Sequence, residues 1–521
     1  MTDLFLQITS AVMLIALVIT VTRQFHILQQ SSYFNLRFWD YLKTLSKGRA
    51  VWSFVFAALT VALCFVSALA AMCVAAVTCL VRGIYAVTKS RSAKKKIVFT
   101  ARVKRMYATL IVLCGLVVAA SFFAPLFCTV LSAVMLTFSP FMAMAVNLIN
   151  APIEAAARQW YINDAKKILK SYSNLKIIGL TGSYGKTSTK YILGRILSEK
   201  YNVTITPGSF NTLLGVVRTV REHLKPDTQV FVVEMGAKQL KDIKEICDLV
   251  HPTMGVITSI GPQHLNTFGS IENVVKTKFE LADEVEKNGG VMYLNLDNEY
   301  ILKAADNYNH KGYGINYKDG YVYADNVSCT RYGLKFDAHI NGRVIPLTTK
   351  LLGSHNVLNI LAAVAIAVDM GLNDTDIKYA VERLEPVSHR LQLKPFLNGS
   401  VLIDDAYNAN PSGSVEALNV IGSFAPLKRI VVTPGLVELG EREYECNVTL
   451  GEACAKNCDE IILVGIERSK PLAQGVKNQG FDETKLHIVK TFNDAAAMLR
   501  NMCDKDTVVL FENDLPDNYA R

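Results

Sequence analysis

An α/β protein carried behind an N-terminal helical membrane region is the fold this sequence predicts, and three observations predict it. Apolar runs long enough to cross a bilayer are confined to the first 150 of 521 residues. From residue 174 onward, short β-branched runs alternate with helical stretches, the rhythm of parallel sheets covered by helices. Between the first such strand and helix lies a glycine-rich turn, Thr181-Gly-Ser-Tyr-Gly-Lys-Thr-Ser188.

Charge separates the same two parts. Residues 1–150 carry 14 Lys/Arg against only Asp3 and Asp40, a net +12, which leaves −3 for the other 371 residues of a chain whose total is +9. The basic balance belongs to the membrane third and gives no case for nucleic-acid binding. Leu4–Thr22 is one apolar run without a basic n-region or a small-residue cleavage site, so it reads as an anchor rather than a removable signal. Val51–Val81 is apolar throughout, and Met106–Ile149 is divided by Pro125 into spans over 107–123 and 127–148. Four membrane segments are expected, in a multi-pass protein of the cell membrane.

Arg82–Arg105 holds nine Lys/Arg and no acid, which assigns it to the cytoplasm. Two further spans return the chain there before residue 150. A four-span count leaves Arg23–Ala50, with five basic residues and one acid, outside and against that rule. A re-entrant Val51–Val81 would remove the conflict. The apolar stretches contain no Asp, Glu, Lys, Arg or His, which favours an anchor over an ATP-driven transport pathway. The eleven cysteines include no C-x-x-C pair, so reduced thiols are expected rather than a zinc site or a disulfide framework.

Ala155–Lys170 turns amphipathic and charged, a connecting helix within residues 151–173. Strands are predicted at Lys176–Leu180, Val230–Glu234, Gly255–Ser259 and Val291–Asn295, in a doubly wound central domain over 174–385. Residues 312–350 are rich in Tyr, Gly and alternating apolar residues, a β excursion. Val401–Asp404, Arg429–Thr433 and Ile461–Val464 belong to a second, Rossmann-like α/β domain over 386–521.

The turn after Lys176–Leu180 carries the clearest chemistry. A strand, a phosphate-cradling P-loop and a helix N-terminus follow one another. Gly182 and Gly185 let backbone N–H groups approach phosphate oxygens, and the helix dipole favours the anion. Lys186 can reach the terminal phosphates, and the Thr187 hydroxyl is placed to hold Mg²⁺. Only two residues separate the glycines, fewer than in the general Walker A pattern. A bare glycine turn is the alternative, but the preceding strand and the following Lys-Thr favour ATP.

Other candidates fall at the same sheet edge. Glu234 ends a predicted parallel strand, where open α/β sheets bind ligands and a carboxylate can hold Mg²⁺. An ordinary strand-end glutamate is the alternative. His264 follows the next strand. Lys276-Thr-Lys278-Phe-Glu280 begins a helix, and either a solvated face or a functional one fits; spacing does not separate Lys278 from Lys276. Asn356 and Asn359 share a helical face, with Asn356 equally suited to a cap. His389-Arg390-Leu391 opens the second domain. Asp404-Asp405-Ala-Tyr-Asn408-Ala-Asn410-Pro411 closes its first strand, suited to recognising substrate or nucleotide, or to a plain turn.

Together these segments resemble the Mur ligases, the ATP-dependent amide-forming enzymes of peptidoglycan precursor synthesis. The matching residues are Thr181–Ser188, Glu234–Ala237, His264–Ser270, Lys276–Glu280, His355–Asn359 and Asp404–Asn410, in order across most of residues 174–470. The resemblance implies an acyl phosphate made from ATP and a substrate carboxylate, then attacked by an amine. By it, Lys186 and Mg²⁺ serve the transferring phosphoryl group, with Thr187, Glu234, His264 and a carbamylated Lys278 at the metals. Gly182, Ser183, Gly185, Ser188, Asn356, Asn359, Arg390 and Asp405 serve the nucleotide. Asn211, Thr212, Asn408 and Asn410 serve the substrate.

The implied partners are a muropeptide or related carboxylate, an amino acid or dipeptide amine, the lipid bilayer and other cell-wall synthesis proteins, with no nucleic acid. Three departures stand out. Membrane segments occupy the place of the family's UDP-sugar-binding domain. The usual Gly-Asp-Met-x-Glu-Leu-Gly stretch reads Pro434-Gly-Leu-Val-Glu-Leu-Gly440. The basic Lys-Gly-Ser-Arg motif is replaced by Phe511-Glu-Asn-Asp-Leu-Pro-Asp517. A lipid-linked or poly-amino-acid acceptor is therefore the alternative to the usual soluble precursor.

Overall fold

The computed structural model describes residues 2–43, 55, 58–63, 65–91, 96–263, 265–407, 409–437 and 439–514. The chain divides into two compact units, Met1–Trp160 and Tyr161–Arg521.

Within the first unit, Thr2–Gln30 and Ala101–Ala120 are long and apolar enough to cross a membrane. The helix Pro125–Thr137 begins with its proline at the helix start, where the missing N–H costs nothing. The predicted division at Pro125 is thus present. The span expected over 127–148 is not one straight helix: Pro125–Thr137 and Ser139–Lys170 meet at 92°. Pro140, in the first turn of the second helix, has no N–H to donate back to Leu136 O. The apolar end and the amphipathic connecting segment form this one helix, Ser139–Lys170, despite Pro152 inside it. The expected Val51–Val81 span lies partly outside the described residues; its described part belongs mostly to the helix Ala68–Arg91.

Leu17, Val21 and Phe25 pack with Met106, Leu110 and Leu136 at the centre of this unit. Two polar contacts lie within it: Ser10 Oγ is 2.7 Å from Ser132 Oγ, and Thr129 donates to Leu6 O at 2.9 Å. The outer face is apolar instead, with Ile15, Leu80, Ile111, Leu116 and Phe123 exposed.

The second unit holds two sheets. The first contains β1 (Lys176–Thr181), β2 (Val203–Ile205), β3 (Val230–Glu234), β4 (Met254–Ile257), β5 (Val291–Asn295), β6 (His310–Gly314), β7 (Val322–Thr330), β8 (Gly333–Ile340) and β9 (Arg343–Thr349). Their order is β2-β3-β1-β4-β5-β6-β7-β8-β9. Pairing is parallel as far as β7 and antiparallel from β7 to β9, the predicted β excursion. The chain reverses its direction of strand addition beside β1, so the carboxyl ends of β1, β3 and β4 open onto a crevice. The fourth strand ends at Ile257, two residues short of the predicted Ser259.

The second sheet contains β10 (Gln392–Pro395), β11 (Val401–Asp405), β12 (Lys428–Thr433), β13 (Glu460–Val464), β14 (Leu486–Val489) and β15 (Thr507–Glu512), ordered β10-β11-β15-β12-β13-β14. Only β10 is antiparallel. The last strand inserts at the centre, between β11 and β12. The chain is thus α/β in both domains behind an N-terminal helical region.

Helix Lys186–Leu197 and helix His355–Asp369 share the core on one face of the first sheet, through Ile192, Leu193, Val357 and Ile360. That contact brings the glycine-rich turn and the Asn356/Asn359 helix together. Helix Ile271–Lys287 covers the opposite face, with Leu281 and Val285 against Ile257 and Leu294.

Candidate active site

The turn after β1 is built to expose backbone. Gly182 has φ 150° and Gly185 has φ 80°, both in the left-handed region. A Cβ on Gly182 would lie 2.1 Å from Thr258 Oγ1. The turn is fastened to the segment after β4: Ser183 N donates to Ser259 O at 2.6 Å, and Thr258 Oγ1 donates to Tyr184 O at 2.5 Å. Lys186 Nζ curls into the turn and donates to Gly182 O at 2.7 Å and Ser183 O at 3.0 Å. Burial lowers this ammonium to about 8; Glu234 pulls it back up and Arg390 adds to the depression.

Glu234, at the end of β3, is fully buried beside it. Its Oε1 accepts from Thr187 Oγ1 at 3.1 Å and from Asn211 Nδ2 at 3.0 Å. Burial alone would raise this carboxyl, but Lys190 and Lys186 outweigh it and hold the group below the usual glutamate range. So Lys186 and Thr187, Asn211 and Glu234, from three separate segments of the sequence, form one cluster.

The helix Ile271–Lys287 resolves the ambiguity between its lysines. Lys276 is exposed, whereas Lys278 is 2 % exposed. Burial, reinforced by the charge of Lys186, holds the Lys278 amine well below the usual lysine range, opposed by Asp242 and Glu280. Glu280 itself accepts from Lys241 N and Lys244 N, capping helix Asp242–Val250. His264 and Asn408 lie outside the described residues. Among the described residues no group of three or more His, Cys, Asp or Glu gathers to hold a metal.

A cavity of about 220 Å³ adjoins the turn. Gly185, Ser188, Asn356 and Asn359 line it from the first domain, and Arg390 and Asp405 from the second. Lys186, Thr187, Glu234 and Lys278 are not among its lining residues. Asn359 accepts from Thr189 Oγ1 at 2.9 Å and donates to Asn356 Oδ1 at 2.9 Å, and Asn356 donates to Leu352 O. Asn356 is therefore not the helix cap; Ser354 occupies that position. The Arg390 guanidinium lies over the Tyr407 ring at 5.3 Å. Asp405 accepts from Leu391 N at 3.1 Å, and burial raises its carboxyl to about 6.

Two residues expected at the substrate act locally as caps. Thr212 Oγ1 accepts from Gly215 N, and Asn410 Oδ1 accepts from Gly413 N at 2.9 Å. Sequence reasoning missed Lys190, whose Nζ is 2.9 Å from Glu234 Oε2, and Glu416, which accepts from Ser354. Lys190 stands one helical turn after Lys186, a spacing that could have flagged it. Nothing in the sequence pointed to Glu416.

A phosphate-type turn at the edge of one α/β domain, sharing a cavity with a second α/β domain, is the arrangement of a nucleotide site between two domains. Comparisons with known proteins agree. Residues 180–367 match the Mur ligase middle domain, and residues 389–512 match the Mur ligase, glutamate ligase domain. The UDP-N-acetylmuramoyl-tripeptide--D-alanyl-D-alanine ligase of Escherichia coli is 30% identical over 316 residues, 60% of this chain and 69% of that protein. The like-named protein of Haemophilus influenzae is 32% identical over 336 residues, 62% of this chain and 71% of its own. MurF from Acinetobacter baumannii superposes with a TM-score of 0.62 at 27% identity, over 70% of this chain and 78% of that one. MurF from Thermotoga maritima, solved in complex with ADP, gives 0.60 at 25% identity, over 68% and 80%. The chain belongs to the Mur ligase family, and it is an ATP-dependent carboxylate–amine ligase.

Proposed function

We propose that this ligase joins the carboxylate of a peptidoglycan precursor to the amine of an amino acid or dipeptide, at the cytoplasmic face of the cell membrane. The reaction is similar to that named for its D-alanyl-D-alanine-adding relatives. The observation that carries the reading is the cluster of Lys186, Thr187 and Glu234 at the mouth of the glycine turn.

Mg²⁺ fits this cluster. Oxygens that share an edge of an octahedral Mg²⁺ shell at 2.0–2.1 Å stand about 3 Å apart. Thr187 Oγ1 and Glu234 Oε1 are 3.1 Å apart. Thr187 and Glu234 would hold a first ion, with His264 and a carbamylated Lys278 serving a second. When bound, Mg²⁺ supplies positive charge beside the transferring phosphoryl group.

The protein's own groups do the rest. Backbone N–H groups of the turn and the helix start at Lys186 hold phosphate oxygens. Lys186 leaves the Gly182 and Ser183 carbonyls for the phosphates and stabilises the charge on them as the substrate carboxylate attacks. Asn356 and Asn359 line the nucleotide cavity, where Arg390 and Asp405 complete it from the second domain. The enclosing second domain keeps water from the acyl phosphate until the amine arrives. Burial and the charge of Lys186 shift the Lys278 amine toward the uncharged form that addition of CO₂ requires.

The apolar outer face of the described residues of this first unit supports membrane anchoring, because such a surface is suited to lipid rather than water. The same region, standing where the family has its UDP-sugar domain, favours a second acceptor class, a lipid-linked muropeptide. To test the reading, the full chain is supplied with ATP, candidate muropeptides and candidate amines, and ADP release is followed with product mass. Amine-dependent ADP release is expected with a cell-wall acceptor. Lys186→Ala should lower it about 10³-fold. Release independent of every amine and acceptor contradicts the assignment.

A further inference from the structure

The Glu234 carboxylate is gripped from both sides. Thr187 and Asn211 donate to Oε1, while Oε2 faces Lys190 Nζ at 2.9 Å. The side chains of this ion pair are 0% and 1% exposed. Lys190 Nζ also donates to Gly208 O at 2.6 Å, which fixes its position. Phosphate cradling employs Lys186 and leaves Lys190 without a task. Burying an ammonium so completely is costly unless a paired charge compensates it, so the helix has placed Lys190 specifically against Glu234.

We propose that Lys190 is the resident counter-cation of Glu234, a positioning residue that presents Oε1 beside Thr187 and keeps a free divalent cation out until a nucleotide brings it. The inference rests on the reading of Thr187 and Glu234 as a metal-holding pair. With the Lys190 ammonium 2.9 Å from Oε2, Glu234 turns Oε1 toward the Thr187 side. A cation on that oxygen shares a single carboxylate with an ammonium, and Lys186 adds a second positive charge nearby; like charges this close repel strongly away from bulk water. Nucleotide phosphates bring the negative charge that offsets the repulsion. Metal and nucleotide then bind as one species.

Mn²⁺ is the probe, titrated by electron paramagnetic resonance into the full 521-residue chain with and without ADP. Wild type is expected to bind Mn²⁺ weakly alone and much more tightly with ADP. Lys190→Gln removes the charge but keeps a polar side chain beside Oε2; it should bind Mn²⁺ alone about tenfold more tightly, and ADP should add less. A merely structural role would lower stability without raising metal affinity. Affinity for Mn²⁺ alone within about twofold of wild type, or weaker, overturns the proposal. If Lys190→Gln is recovered unfolded, Mn²⁺ should restore folding by supplying the missing charge, and failure of that rescue overturns it equally. Glu234→Gln tests the underlying reading separately. Unchanged Mn²⁺–ADP binding in that variant rejects Glu234 as a metal residue, whatever Lys190 does.

Discussion

Glu416 Oε1 accepts two hydrogen bonds from Ser354, one from its backbone N–H and one from its hydroxyl, both at 2.6 Å. Ser354 precedes helix His355–Asp369 of the first domain, while Glu416 lies on helix Pro411–Gly422 of the second. A carboxylate at a helix start gains from the helix dipole as well as from the two donors. This one side chain therefore ties the two domains together at the rim of the nucleotide cavity. Glu416→Ala should cost about 1–3 kcal/mol of stability. It should also speed amide hydrogen exchange over 354–357 and weaken ADP binding; unchanged exchange there rejects the tie.

The glycine turn makes a steric prediction. Gly182→Ala places a Cβ 2.1 Å from Thr258 Oγ1 and forces alanine to φ 150°. Strain of this kind costs about 1–3 kcal/mol before the collision is relieved. Thr258 must then release Tyr184 O, and the turn loses its shape. Thermal melting should fall and ADP affinity should drop with it, whereas an unperturbed ADP affinity would show that the turn does not cradle phosphate.

Lys278 carries a chemical prediction. If its amine takes up CO₂, ¹³C-bicarbonate should give a carbamate resonance in the wild-type chain that is missing from Lys278→Ala. The variant should lose about 10²-fold or more in rate, recovered in part by a small carboxylic acid supplied in solution. Full activity of Lys278→Ala without such an acid removes the carbamate from the mechanism.

Asp405 predicts a pH dependence. Its folded-state carboxyl is raised by burial from 3.8 to about 6, so the native state binds the proton more tightly than the unfolded chain does. The penalty for ionising it is fully present above pH 6 and is relieved as pH falls through 6 towards 3.8. Asp405→Asn keeps an acceptor for Leu391 N and carries no such penalty. The variant should melt higher than wild type at pH 7 to 8, with the difference shrinking below pH 6 and vanishing near pH 4. A difference that is constant with pH contradicts the assignment.

Legibility in the sequence followed the physics of each element. Val230–Glu234 and Val291–Asn295 were readable to the residue, because apolar parallel strands bounded by turns leave few alternatives. β15 escaped, although Thr507–Phe511 is the same kind of apolar run; only its end, Phe511–Glu512, fell within the stretch read as a lost basic motif. The bend after Thr137 was hidden because apolar composition runs unbroken across Pro140, and hydropathy does not register a missing N–H. Lys278 and Lys276 became distinguishable only when the helix was packed. The ion pair of Lys190 with Glu234 joins residues 44 positions apart, a contact that no local pattern encodes.

The central claim, that this site activates a carboxylate as an acyl phosphate, has a direct isotopic test. The acceptor carboxylate is labelled with ¹⁸O and turned over by the full chain with ATP and amine, and the released inorganic phosphate is analysed by mass. Phosphoryl transfer to the carboxylate followed by amine attack leaves one carboxylate oxygen on the phosphate. The account predicts one ¹⁸O in the phosphate for each amide formed, with ADP as the other product. Unlabelled phosphate accompanying amide formation, or AMP and pyrophosphate in place of ADP, would contradict it.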